Sequence, residues 1–527
     1  GLSKMNVRHS IDRAIREYPD RTALVFGDRR LSFSELSDRV NRLANGLMRL
    51  GISKGDRVGM LLRNCCEFIE IDFALSKTGI VRVPLNARLT GSDHEYMLND
   101  SGANTLIFGE EFTETVQEIK PRVRTVETFV RVSQGLSMEN VLNAIDYEGL
   151  IEKNPSEEPG GEVEEQDLHT LFYTSGTTGK PKGVMLTQKS WANVTINLIL
   201  DYGPFTEEDV LLNTQPLSHG AGFFVLPCFV NGGTNVLLPD LKPSAVFETI
   251  EREKVTVLKL VPTMLYQLME SPEKDRYDLS SLHSIIYGGS PIAVPRLIEA
   301  VQFFGKKLVQ LYGQAEAPMC ISTFSRRDHI IEGSEEVVER LKSAGKPCIN
   351  VEVRIVDDHG KDVQPGEVGE VIVRGYHIMK GYWNRPEETA QTLKDGWVYT
   401  GDLGYFDSHD YIFLVDRKKD MIISGAFNIY PKEIEEVIVT HPRVKEVAVV
   451  GVPDEKWGEA VKAVVVPKPG VEVTEQEIID YCRERIASFK KPKTVDVVPE
   501  LPRNPYGKVL KAALREKYWK GFDRRIH

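Results

Sequence analysis

Apolar positions along this chain follow two rhythms, one of helices and one of strands, and segments of the two kinds alternate. The clearest helix opens at Ser32. Ser32 and Glu35 form a capping box, Leu36, Val40, Leu43, Ala44 and Leu47 keep helical spacing, and Gly51 ends the run. Short β-rich runs follow at 57–62, 81–84 and 105–108. Residues 152–165, rich in Pro, Gly and Glu, read as a loop feeding the next strand. A Gly-Glu-Val-Gly-Glu turn at 366–370 then leads into an alternating strand at 371–374. Past Asp416 the pattern tightens to βαββα: a helix after Pro431 with Ile434, Val437 and Ile438 on one face, strands at 447–452 and 461–466, and a helix capped by Thr474 and Glu477. The expected fold class is α/β, a large multi-subdomain N-terminal domain of β-sheets flanked by helices over 1–416 plus a small mobile α+β C-terminal domain over 417–527. No internal repeat or low-complexity tract interrupts it.

Composition narrows the function classes. A chain of 527 residues is too long for one core. Its 66 basic against 77 acidic residues, net −11, argue against a general nucleic-acid binder, which needs a basic face. Arg417-Lys418-Lys419 remains available to a phosphorylated cofactor, whereas Lys490-Lys491 reads as a solvated face. The six cysteines show no CxxC pair and no grouping with histidines, so they read as free thiols of a reducing compartment, Cys320 among them as a packing residue. Residues 1–20 carry charges throughout and show no apolar leader, and the longest apolar run, 221–230, is about half a bilayer span. A cytoplasmic protein without a transmembrane segment is expected.

The densest chemistry lies in Tyr173-Thr174-Ser175-Gly176-Thr177-Thr178-Gly179-Lys180-Pro181-Lys182-Gly183, directly after the apolar pair Leu171-Phe172. Glycines let successive backbone N–H groups converge on anionic oxygens, hydroxyls add donors, and lysines neutralise charge. That is a loop for a polyphosphate. It is not a Walker A loop, because GxxxxGK[ST] fails at every glycine here and Pro181 stands five after Gly176.

This loop resembles the signature of the adenylate-forming superfamily (acyl-CoA synthetases and other AMP-binding enzymes), and six further motifs follow in that family's order. They are Pro216-Leu217-Ser218-His219-Gly220, Gly288-Gly289-Ser290-Pro291, Tyr312-Gly313-Gln314-Ala315-Glu316, Tyr399-Thr400-Gly401-Asp402, Asp416-Arg417-Lys418-Lys419-Asp420 and Pro502-Arg503-Asn504-Pro505-Tyr506-Gly507-Lys508. The resemblance covers nearly the whole chain. It implies that ATP and a carboxylic acid form an acyl-adenylate and pyrophosphate, and that the acyl group then passes to coenzyme A with release of AMP.

The residue roles carried by the resemblance suit the chemistry. Two anions must meet when a carboxylate attacks the α-phosphate, so positive charge must be placed in advance. Lys508 is implied to bridge them as the catalytic lysine, a point charge on a flexible stem. Glu316 and Thr174 are implied as Mg²⁺ ligands, Glu316 also acting in catalysis. Thr174, Ser175, Gly176, Thr177, Thr178, Gly179, Lys180 and Lys182 would wrap the phosphates. Tyr312, with Gly313, Gln314 and Ala315, would hold adenine, Asp402 the ribose hydroxyls, and Arg417 ribose or phosphate. His219 would border the acyl pocket near the reacting carboxylate, with Gly220, Ala221 and Gly222 leaving space, Phe223 or Phe224 lining it, and Gly288, Gly289 and Ser290 forming another wall. Lys419 falls on the hinge position, where a charged, solvated residue can absorb a large backbone change. Gly425 and Ala426 would face the thiol tunnel.

Two positions depart from the family pattern. Ala315 replaces a threonine, and Ala426 stands where glycine is usual, beside the path of the thiol. The acid is expected to be apolar (aromatic, alicyclic or a medium-to-long fatty acid), because residues 220–228 carry no charge. Alternatives left open are a stand-alone enzyme loading a carrier protein and a non-catalytic nucleotide-binding relative. The sequence also leaves open whether the chain forms a homodimer.

Overall fold

The computed structural model describes residues 6–174, 180–238, 242–290, 292–504 and 507–522. The architecture is mixed α/β. Contacts gather the chain into a larger compact unit, which includes Pro181–Val353 and Val373–Val398, and a smaller one, which includes Arg354–Ile372 and the chain from Tyr399 on.

Two sheets organise the larger unit. In the eight-stranded sheet, Val81–Pro84, Arg57–Leu61, Thr105–Gly109 and Thr128–Val132 run parallel and are almost wholly buried, as strands covered on both faces are. The helix Phe33–Arg49 packs on the helices Cys66–Thr78 and Tyr147–Glu152. Ser32 accepts the Glu35 backbone N–H while the Glu35 carboxylate accepts that of Ser32, and the expected apolar stripe is fully buried. Beside Val81–Pro84 comes Leu168–Tyr173, then Gly183–Thr187 antiparallel to it, then the short strand Gly381–Tyr382.

The nine-stranded sheet has a parallel core in the spatial order Thr234–Leu237, Val210–Asn213, Val257–Leu260, Ser284–Gly288 and Leu308–Gln314. Ala317–Phe324 then folds back antiparallel on Leu308–Gln314. Loops leaving the carboxyl ends of such strands are where α/β sheets bind ligands.

In the smaller unit the two predicted strands are the middle of a longer hairpin, Val444–Asp454 with Gly458–Pro467. Alternate residues of this ribbon are buried on both sides. Val449, Val461, Ala463 and Val465 pack with Ile434, Ile438 and Ile478, whereas Ala448, Val450 and Val464 pack with Leu501 and Leu514. Helices on each face let β-branched residues extend the ladder past the run that alternation alone marks. The Thr474–Glu477 capping box forms as expected.

All six cysteines are free and buried. Among the described residues no helix is long and apolar enough to cross a membrane.

Candidate active site

The phosphate-type loop is anchored at both ends in the larger unit. Thr174 follows the strand Leu168–Tyr173, and its N–H donates to the Lys182 carbonyl at 3.2 Å. Ser175, Gly176, Thr177, Thr178 and Gly179 lie outside the described residues, and Lys180 is exposed. Lys182 sets its ammonium 4.5 Å from the centre of the Tyr382 ring. The Tyr382 hydroxyl in turn donates to the Glu316 carboxylate at 2.7 Å. The loop exit and Glu316 thus meet through a buried tyrosine that no motif marked. Tyr382 gets there because Gly381–Tyr382 pairs with the strand that follows the loop.

Glu316 occupies the two-residue tip between Leu308–Gln314 and Ala317–Phe324, and its carbonyl accepts the Met379 N–H at 2.9 Å. Tyr312, Gln314 and Ala315 are half-buried beside it. Gly313 is dictated by space: a Cβ would lie 2.6 Å from the Met319 backbone nitrogen. Met319 itself takes a left-handed φ of 61°, unusual for a non-glycine residue. Its methyl group also borders Gly220.

Asn64 ties down the segment before His219, donating to the Gln215 carbonyl at 2.7 Å and accepting from the Leu217 N–H at 2.8 Å. His219 lies 5.7 Å from the Phe172 ring and is open to solvent on one side. Enclosure by protein on its other sides, with the positive charges of Lys259 and Arg88, pushes its pKa down to about 4. The imidazole is therefore neutral near pH 7. The next residues differ from expectation. A Cβ at Gly222 would lie 2.3 Å from the Leu217 carbonyl oxygen, so this glycine admits backbone and leaves no free space. Phe223 packs on Trp191 at 4.2 Å and Phe224 is fully buried, so this run fills the core here. Gly288 is likewise closed by the Leu311 carbonyl, 2.5 Å from a Cβ, while Gly289 turns at φ 93° and Ser290 is exposed.

Sequence reasoning missed Lys259. Its side chain is buried, donating to the Gln215 side chain at 3.2 Å and to the Leu260 carbonyl at 3.1 Å, and burial pushes its pKa down to about 7. The signal was a single lysine inside the apolar run 257–261.

A cavity of about 860 Å³ opens beside Asn64 and Pro216, lined among others by Arg63, Arg88, Lys242 and Glu270. None of the residues expected to hold nucleotide lines it.

The smaller unit brings four expected residues together. Asp402 and Arg417 face each other across an antiparallel pair and form a 2.6 Å ion pair, with Asp402 buried. Thr400 and Gly401 hold the approach to Asp402: the Thr400 hydroxyl donates to the Val371 carbonyl at 2.6 Å, and the Gly401 N–H donates to Glu370 at 3.1 Å. Lys508 sits on a tight turn closed by the Arg503–Val509 bridge, its N–H held by the Asn504 side chain at 2.9 Å. Gly507, at φ 82°, supplies the left-handed step that turn needs. The Lys508 side chain is exposed along its length, yet crowding around the ammonium and the Arg417 guanidinium lower its pKa, with Asp402 and Asp420 opposing. Lys419 is half-buried rather than solvated, its pKa pushed down to about 8 by burial and by Arg417. Three cations thus act on one another, two of them beside Asp402, an arrangement that suits an anionic ligand.

Gly425 turns at φ 61°, and a Cβ there would lie 2.8 Å from the Trp457 ring. Ala426 is exposed and takes no left-handed torsion, so alanine is unstrained there.

Comparison with known proteins agrees along the whole chain. The model of the AMP-binding enzyme family matches residues 11–383, and that of the AMP-binding enzyme C-terminal domain matches 433–508. A feruloyl-CoA synthase from Amycolatopsis sp is 39% identical over 98% of this chain and 99% of its own. The medium/long-chain-fatty-acid–CoA ligase FadD8 from Mycobacterium tuberculosis is 37% identical over 98% of this chain and 91% of its own. The structure of the amide bond synthetase McbA from Marinactinospora thermotolerans superposes with a TM-score of 0.85 at 32% identity, over 97% of this chain and 99% of that one.

Proposed function

The chain belongs to the AMP-binding enzyme family, and from that premise we propose that it is an acyl-CoA synthetase that makes an acyl-adenylate on the way. The observation that carries the proposal is the Arg417–Asp402 ion pair with Lys508 and Lys419 beside it in the smaller unit. The identities to feruloyl- and fatty-acyl-CoA-forming relatives support the thiol acceptor.

In the first step a carboxylate oxygen of the acid attacks the α-phosphorus of ATP, the bond to the bridging oxygen breaks, and pyrophosphate leaves. Lys508 lowers the cost of bringing the two anions together. Asp402 orients the ribose by accepting from its hydroxyls, and Arg417 steadies the Asp402 carboxylate. His219, neutral near pH 7, borders the acid without competing for its negative charge. In the second step the coenzyme A sulfur attacks the acyl carbonyl, the thiol proton is lost, and AMP leaves. That step requires Lys508 to withdraw, and we assign the hinge to residues 416–420.

Among the described residues no group of three or more His, Cys, Asp or Glu is placed to hold a metal alone. Glu316 and Thr174 offer the oxygen ligands a Mg²⁺ accompanying ATP would take from the protein. When bound it supplies neutralisation of phosphate charge.

The test scores a panel of carboxylic acids for pyrophosphate and then for CoA-dependent AMP. ADP in place of AMP would remove the proposal. The likeness to the amide bond synthetase favours one second reading, an amine acceptor. Pyrophosphate with every active acid, but AMP released by amines and not by CoA, would select it.

A further inference from the structure

Lys259 and Asn213 sit at a distinctive place in the nine-stranded sheet. Val210–Asn213 is followed in sequence by its neighbour on one side, Thr234–Leu237, and the chain then returns to lay Val257–Leu260 on its other side. From there the strands proceed outward, through Ser284–Gly288 to Leu308–Gln314. Connections therefore leave Val210–Asn213 and Val257–Leu260 in opposite directions. The carboxyl ends of two such strands frame the crevice in which open α/β sheets bind ligands.

Both residues stand at that end. Asn213 is the last residue of its strand and registers with Lys259, so the two side chains rise from the same sheet face. Asn213 has no exposed surface, and neither its amide nitrogen nor its amide oxygen meets a hydrogen-bond partner among the described residues. Buried amides are ordinarily satisfied. Lys259 is 3% exposed and no carboxylate pairs with it among the described residues. Its two hydrogen bonds leave one ammonium hydrogen to spend. The Phe224 ring lies 5.5 Å away, and the Lys259 charge is felt at His219, which is itself exposed. A buried cation without a counter-charge beside an unsatisfied amide is a poor way to stabilise a core. It is a good way to meet a polar group brought in by a ligand.

We propose that Asn213 and Lys259 form the polar floor of the acid site and select acids carrying a second, hydrogen-bond-accepting oxygen remote from the reacting carboxylate. The inference rests on the acyl-adenylate reading and refines it, replacing a wholly apolar acid with an oxygen-bearing one. The absence of charge over 220–228 bears on core packing and does not decide the polarity of the acid. The selective group comes from a strand that segment does not contain.

The test uses the full chain and matched acids, cinnamate against 4-hydroxycinnamate and hexanoate against adipate, each read as kcat/KM for pyrophosphate release. The wild type should prefer the oxygen-bearing member of at least one pair by about tenfold or more. The first pair reports a phenol and the second a carboxylate. Lys259→Met should collapse that ratio to within about threefold, chiefly through KM, and Lys259→Arg should restore part of it. If Lys259→Met does not fold, Asn213→Ala is read on the same ratio and should reduce it. A wild type indifferent to both oxygens, or variants that keep the ratio, would overturn the inference while leaving adenylation standing. No pyrophosphate from any acid would sink the parent reading and this one with it.

Discussion

Lys508 and Lys259, like Lys419, have ammonium groups pressed below their ordinary pKa by desolvation, but they sit in different company. Lys508, in the smaller unit, rides an exposed turn where crowding around the ammonium lowers its pKa most, the Arg417 charge lowers it further, and Asp402 and Asp420 oppose both. Lys259, in the larger unit, is held inside a parallel strand where burial alone lowers it. The first arrangement stores positive potential that an incoming anion relieves. The second stores desolvation that an incoming hydrogen-bond acceptor relieves. In the proposed roles one is a catalytic charge and the other a selective one, and a residue's pKa does not distinguish them until its neighbours are named.

The strongest way to break this comparison is Lys508→Ala. Adenylation measured by pyrophosphate release should fall by roughly 10²-fold or more, while thioester formation from pre-made adenylate falls much less. Equal losses in the two half-reactions would remove the withdrawing-lysine argument. Next comes Asp402→Asn, which weakens both the Arg417 pair and the grip on ribose hydroxyls. KM for ATP should rise by about tenfold or more, with KM for the acid little changed, in initial-rate measurements.

A smaller effect sharpens the other side. With its folded pKa near 7 and its unfolded value near 10.5, Lys259 binds fewer protons folded than unfolded between those values, so its burial penalises stability most below about pH 7 and less as pH rises. Lys259→Met should accordingly raise the melting temperature by a few degrees at pH 6, and by less at pH 9. A gain that does not vary with pH would contradict the buried-amine account. Ala315→Thr, adding a hydroxyl at the half-buried tip beside Glu316, should change adenylation by no more than roughly fivefold. Ala426→Gly should alter thioester formation least, within about twofold, because Ala426 is exposed and unstrained.

Motifs made much of the site legible before any coordinates, but unevenly. Asp402, Arg417, Lys419 and Lys508 are separated by up to about a hundred residues, yet each stands in a recognisable string, and the smaller unit does gather them. The run at 220–224 misled because small and aromatic residues there read as an open pocket. Gly222 instead makes room for the Leu217 carbonyl, and Phe223 stacks in the core. Lys419 read as solvated from its charged neighbours, yet it is half-buried. Tyr382 carried no signal, since a tyrosine before a tryptophan says nothing of a carboxylate more than sixty residues earlier.

Sequence alone was enough for the α/β class, the capped helices and the family, because these depend on local periodicity, turn chemistry and contiguous strings. Tertiary structure alone decided which glycines yield space and which are filled by backbone, that Tyr382 links Lys182 to Glu316, and that Asn213 and Lys259 share one face at the turning point of a sheet. The physical reason is that strand order and register bring together residues with no relation along the chain, and burial then gives an ordinary lysine and an ordinary asparagine properties neither has in water.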